Sequence, residues 1–389
     1  IKGGTIALKK RLANSLQQYL TYCLATRFDR PFSDDQVEFI GDIQGVITHG
    51  GQEVYIMPRG EGKTTILIGA TTWAIVNAHR RFIVLLAADQ TRADSLLTGI
   101  KTCFETTEQL WRIYPEACHY MRALQCIAQR TTGQTAEGEP TYIQYKKDML
   151  VLANFPNPKK HEKCSQVIVV AKGITGGIRG LQHTLPSGEV IRPDLVLADD
   201  IQTRESAQSP IQTKNRLTTV KSDVMGLGGA KKKIAFMAGL TVISKGDLAD
   251  ILSNEMHSIR AKALYEWPVE RNGLWMEYIE QRRTWKRQHG DKRLTELCNE
   301  FYNQNRVKMD DGARVANPYR QEESDLAPLQ TLYNFIADNG MESFMSEMQN
   351  DPISDMDDMD MITIPALIER VNGLPRSLAP IKTQWLTAG

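Results

Sequence analysis

The sequence predicts an α/β protein with a mainly parallel central sheet flanked by helices, and three observations carry that expectation. Short apolar runs rich in Val and Ile recur at strand length without polar alternation, as strands buried on both faces require. Helical segments separate the first of them, which implies parallel strands joined by right-handed crossovers. A glycine-rich loop ending in Gly-Lys-Thr joins the first apolar run to the helix behind it.

The elements follow in order. Apolar positions at helical spacing from Leu8 to Leu24 and from Val37 to Ile47 make residues 1–50 a helical region. Strands are expected at Val54–Met57, Phe82–Ala87, Val167–Ala171, Leu195–Ala198 and Ile234–Leu240, with helices at Thr64–Ala78 and Thr91–Phe104. Residues 105–165 carry Gly, Thr and Pro turns and read as an elaboration of the sheet. Beyond Asp247 no further strand is expected. Helices are read at Leu248–Ile259, Glu277–His289 and Leu294–Asn305, after which the pattern thins. The expected organisation is therefore an N-terminal region (1–50), a core (51–247), a helical subdomain (248–355) and a linker (356–389).

Composition excludes extremes. The chain has 389 residues, with 47 Lys plus Arg against 46 Asp plus Glu, a formal charge of +1. That balance fits neither a uniformly basic nucleic-acid coat nor an acidic tail protein. The longest apolar run, Phe82 to Ala88, is far short of the roughly 20 residues a membrane-spanning helix needs. No signal-peptide core follows Ile1-Lys2-Gly3-Gly4, and the six cysteines show no CxxC spacing, so a reducing cytosol is expected. Cys118, His119 and Cys126 form the one cluster, read as scattered thiols.

The sharpest chemical signal is Met57-Pro58-Arg59-Gly60-Glu61-Gly62-Lys63-Thr64-Thr65. It follows a strand and opens a helix, the context of a phosphate-binding loop. Gly60 and Gly62 let successive N–H groups point at phosphate oxygens, and the helix N-terminus adds its dipole. Lys63 can reach the outer phosphates and the Thr64 hydroxyl can ligate Mg²⁺. The full pattern wants Gly where Met57 stands. A partner carboxylate is expected at a strand end, and Asp199-Asp200 supplies it after Leu195–Ala198. Asp199 would hold Mg²⁺ and Asp200 would orient or deprotonate the attacking water. Adjacent carboxylates behind an apolar run are costly unless a cation or water needs them. The fold class sharpens to an ASCE-type P-loop NTPase with a small helical C-terminal subdomain, and the cofactors to ATP and Mg²⁺.

Several motifs in order resemble the large subunit of the tailed-bacteriophage terminase, the viral DNA-packaging motor. They are Arg59 inside the loop, Gly173-Ile174-Thr175-Gly176-Gly177-Ile178-Arg179-Gly180, the strand Arg192–Ile201, Ala238-Gly239-Leu240-Thr241 with Gly246-Asp247-Leu248, and Phe344–Pro352. Together they span roughly residues 30–355. The resemblance implies further roles. Gln36 would read adenine, or else caps a helix. Thr241 would sense the nucleotide, or else satisfies a strand end. Arg59 would contact the γ-phosphate, and Arg179 would be a finger donated to a neighbour's ATP, or else a structural Arg-Gly turn. It also implies double-stranded DNA held without sequence reading, a homo-oligomeric ring, a portal protein and a small terminase subunit as partners, no membrane, and a site of action in the infected bacterial cytoplasm on the procapsid.

Two departures stand out. The catalytic carboxylate of such motors is Glu, and Asp200 is one methylene shorter. They also carry a C-terminal nuclease domain, for which the roughly 35 residues after Pro352 are too few, so no nuclease activity is expected from this chain. The acidic run Asp351, Asp355, Asp357, Asp358 and Asp360 reads as a solvated linker rather than a metal site. DNA contact falls to local clusters: Lys231, Lys232 and Lys233, and Arg282, Arg283, Lys286 and Arg287 with Lys292 and Arg293 behind. Each is a phosphate-gripping candidate or a solvated face. Two other functions stay open, a helicase or remodeller and a non-catalytic nucleotide-binding assembly module.

Overall fold

A computed structural model describes residues 6–155, 163–229 and 232–353, almost all in one compact unit that ends at Pro352. Its centre is an eight-stranded sheet. In chain order the strands are β1 (Gln52–Ile56), β2 (Phe82–Ala87), β3 (Gln144–Tyr145), β4 (Met149–Val151), β5 (Ile168–Gly173), β6 (Leu195–Asp199), β7 (Ala235–Leu240) and β8 (His257–Arg260). Their spatial order is β8-β1-β7-β6-β2-β5-β4-β3. The first six are mutually parallel, and β4 and β3 extend one edge antiparallel.

Successive residues of a strand point to opposite faces, and both faces are buried. Ile83, Leu85 and Ala87 of β2 join the core on one side, with helices α1 (Ile6–Ala13), α2 (Leu16–Cys23), α3 (Asp34–His49), α4 (Lys63–Asn77) and α5 (Gln90–Thr106). Phe82, Val84 and Leu86 join the other, with Val220, Val224, Leu248, Ala249 and Leu252. This double burial is why the strands read as unbroken apolar runs.

Beyond Asp247 the expectation fails in two ways. The helix read as Leu248–Ile259 ends at Glu255, and His257–Arg260 then pairs parallel with β1 as the edge strand. As an edge strand it pairs with one neighbour only, and its residues are partly exposed, so no apolar run marks it. A separate antiparallel pair, Leu264–Glu266 with Arg314–Val315, follows.

The helical region has its own core from Ala263 onward. It contains Leu274–Gln288, Asp291–Asp310, Pro328–Asn339 and Met341–Glu347. The last two lie beyond Asn305, where the sequence pattern thins. The indole of Trp275 stacks on Tyr333 with centroids 3.8 Å apart and packs edge-on against Tyr278. Most of the acidic run and the segment 356–389 lie outside the described residues.

Candidate nucleotide site

The loop after β1 is built by two glycines. Gly60 and Gly62 both have φ +81°, a conformation L side chains rarely adopt. Gly62 is the N-cap of α4 and offers no side-chain cap, so first-turn N–H groups are open to an anion. A Cβ on Gly60 would also come within 2.6 Å of Arg320 Nη2.

Lys63 is buried. Its Nζ donates to Met57 O at 2.8 Å and to Thr241 Oγ1 at 2.7 Å, and lies 3.9 Å from Asp200 Oδ2. Thr64 Oγ1 donates to Asp199 Oδ2 at 2.7 Å. The loop, the end of β6 and the end of β7 therefore meet at the carboxyl ends of parallel strands, where α/β sheets bind ligands. β7 lies between β1 and β6, which is how Thr241 reaches Lys63.

Asp199 Oδ1 is buried and has no hydrogen-bond partner among the described residues. Burial, reinforced by the neighbouring Asp200, pushes its carboxyl up to about 6, against the pull of Thr64, Lys63 and Arg92. A cation would relieve both conditions, so the donors fit one. No group of three or more His, Cys, Asp or Glu is assembled among the described residues. A cation here would thus share one carboxylate and one hydroxyl with phosphate oxygens and water, a set suited to Mg²⁺.

Asp200 has φ +38°, and its N–H donates to Gly239 O at 3.0 Å. Asp and Asn tolerate the left-handed region better than other side chains with a Cβ. The short acid is therefore compatible with this backbone.

Gln36 does two jobs. It completes a capping box with Ser33, and its Nε2 donates to Glu61 O at 2.9 Å. With Thr65 and the Phe28–Phe32 ring pair it borders a cleft of about 200 Å³ beside the loop. Arg59 is exposed and pairs with Glu347 at 2.9 Å. Glu61 is buried, held by Arg320 Nη1 at 2.6 Å and Asn317 Nδ2 at 2.7 Å. Gln202 links Thr241 O to the buried Asp247 carboxylate. Glu347, Arg320, Asn317 and Gln202 were not anticipated. The first three approach from more than 250 residues away along the chain, where no spacing rule reaches.

Arg179 stands apart, bonded to Asp223 at 2.5 Å and to no loop residue. Lys232 and Lys233 are exposed just before β7; Lys231 lies outside the described residues. The second basic cluster is largely engaged internally. Arg282 and Lys286 both bind Asp338, at 2.7 and 2.8 Å, and Arg283 Nε donates to Ala337 O. Arg287 donates to Thr284. The first three fasten one helix to the C-terminal end of another, where cations are favoured.

No family model and no curated protein matches the chain. Among solved structures it is similar to the large terminase of bacteriophage HK97, with 14% sequence identity and a TM-score of 0.36. The likeness covers 73% of this chain and 51% of that one, so the chain spans about half the length of that terminase. It is a distant likeness of chain path. No helix among the described residues is long and apolar enough to cross a membrane.

Proposed function

We propose that this chain is the ATP-hydrolysing motor domain of a viral DNA-packaging terminase. The observation that carries the nucleotide half is the junction of Lys63, Thr64, Asp199, Asp200 and Thr241 at the ends of three parallel strands. In this reading the loop N–H groups and Lys63 hold the β- and γ-phosphates, and Arg59 contacts the γ-phosphate. Thr64 and Asp199 would hold Mg²⁺, which would supply neutralisation of phosphate charge. Asp200 orients the attacking water and takes its proton, and Thr241 reports the change to β7. Gln36 and the adjoining cleft take the base.

The DNA half rests on the ordered terminase motifs and on exposed Lys232 and Lys233. A motor gripping phosphates without reading bases needs Lys and Arg and no base-specific partners. The ring, with Arg179 donated in trans, and docking on a procapsid through a portal belong to the same proposal.

The test is Mg²⁺-dependent ATP turnover, with and without duplex DNA, by wild type and Lys63→Ala. Turnover lost about 10³-fold in the variant supports the motor. Nucleotide binding without turnover in either protein supports the assembly module instead. For the trans finger, mixing Arg179→Ala with Lys63→Ala subunits should restore activity that neither has alone; a dead mixture of folded subunits removes Arg179 from the role.

A further inference from the structure

Glu347 is the last residue of the helix Met341–Glu347, and its carboxylate holds two arginines at once. Oε2 accepts from Arg59 Nη1 at 2.9 Å, and Oε1 accepts from Arg204 Nη2 at 2.6 Å. Its carbonyl also accepts the Arg59 backbone N–H at 2.9 Å. Arg59 belongs to the phosphate loop. Arg204 begins the helix Arg204–Ala207, four residues after Asp200. One carboxylate thus gathers a guanidinium from each of the two segments that build the site.

The two arginines are far from saturated. Their side chains are 72% and 60% exposed, while Glu347 is 13% exposed. Each guanidinium has five N–H donors, and each gives one to Glu347. One carboxylate offsets only one of the two positive charges, and the free donors of two guanidiniums suit a phosphoryl group, with three oxygens and higher charge, better than a carboxylate. Glu347 is firmly placed. Ser346 Oγ donates to Ile243 O, and Asn350 bridges Val242 N to Ala261 O just past the ends of β7 and β8.

We propose that Arg204 is a second arginine that binds the terminal phosphate of the nucleotide from within the same chain. Glu347 is its positioning residue and competes with that phosphate for both guanidiniums. The inference rests on the nucleotide reading above and adds a residue that neither the motifs nor the resemblance assigned. If Arg204 were merely a structural bridge between the two segments, its loss would change the binding of ADP and of ATP alike.

The experiment measures dissociation constants of the full chain, with Mg²⁺, for ADP and for a non-hydrolysable ATP analogue. Arg204→Ala should weaken the analogue about tenfold or more, as loss of a charge-assisted hydrogen bond does, and leave ADP within about twofold. Arg204→Lys should recover part of the loss, since it keeps charge but not the fork. Glu347→Gln should bind the analogue more tightly, with ADP unchanged. The side chain of Arg204 is exposed, and an unchanged melting curve confirms the fold of each variant. Equal effects of Arg204→Ala on both nucleotides, or none on either, overturn the proposal, and weaker analogue binding by Glu347→Gln overturns the competition. Wild type that binds neither nucleotide overturns the site reading and this inference together. Wild type that binds both, with binding lost in Lys63→Ala and untouched in Arg204→Ala, overturns this inference alone.

Discussion

The strand ends around Asp199 and the helical region after Ala263 solve the problem of buried polarity in opposite ways. In the helical region the polar groups close on one another. Tyr278 donates to Asn334, Asn334 donates to Asp325, and Thr331 caps the same carboxylate. Two buried atoms there, Tyr333 Oη and Arg282 Nε, lack partners, but neither is an uncompensated negative charge, and Arg282 carries Asp338 on a neighbouring nitrogen. At the strand ends a buried carboxylate oxygen is left open beside a second carboxylate. Closed networks specify a fold. An open, like-charged pair costs stability and gains something only when a cation or proton arrives.

Three experiments can break or sharpen that contrast. The largest effect is expected for Trp275→Ala, which removes the stack on Tyr333 and the indole bond to Met309 O. A loss of about 3–5 kcal/mol follows from truncating a buried aromatic, read by denaturant unfolding. Hydrogen exchange should place the loss in residues 263–350 while the sheet stays protected.

Asp199→Asn should act in the opposite direction. The native carboxyl titrates near 6 and the unfolded one near the ordinary Asp value of about 3.9. Between those pH values the native state binds more protons, so this group's contribution to stability falls as pH rises, and above 6 it is a full penalty. The amide should therefore raise stability by on the order of 2 kcal/mol at pH 8 without Mg²⁺, and by little near pH 4. ATP turnover should be lost. A destabilised variant at pH 8 would mean that Asp199 serves the fold.

The smallest effect separates the two basic clusters. Replacing Lys232 and Lys233 with Ala should lower the slope of log affinity for duplex DNA against log salt by about 2. Lys286→Ala should leave that slope unchanged, because its charge is already committed to Asp338. Equal slopes for both variants would move the DNA surface elsewhere.

The same contrast explains what could be read in advance. The parallel strands were legible because burial on both faces writes an unbroken apolar run, and the loop because glycine, lysine and threonine each do a distinct job at fixed spacing. Strand β8 was not, since all four residues of His257-Ser258-Ile259-Arg260 are at least partly exposed at the sheet edge and form no apolar run. The helix Pro328–Asn339 could have been found, with Pro at its start and Leu329, Leu332, Tyr333 and Ile336 at helical spacing. Nothing local announces Glu347 or Arg320. Their partners are set by the return of the chain across the loop, and tertiary proximity has no period.

The backbone at Asp200 sets a limit on substitution. A residue held at φ +38° is chosen twice, once for what its side chain can do and once for what its main chain will accept. Glycine satisfies the second demand and fails the first. Asparagine keeps the shape and loses the carboxylate. Glutamate lengthens the arm but pays about 1 kcal/mol or more in a conformation that suits it poorly. Aspartate meets both at the lower backbone cost, so at this position a change usually counted as conservative, one acid for another, is the informative one to make.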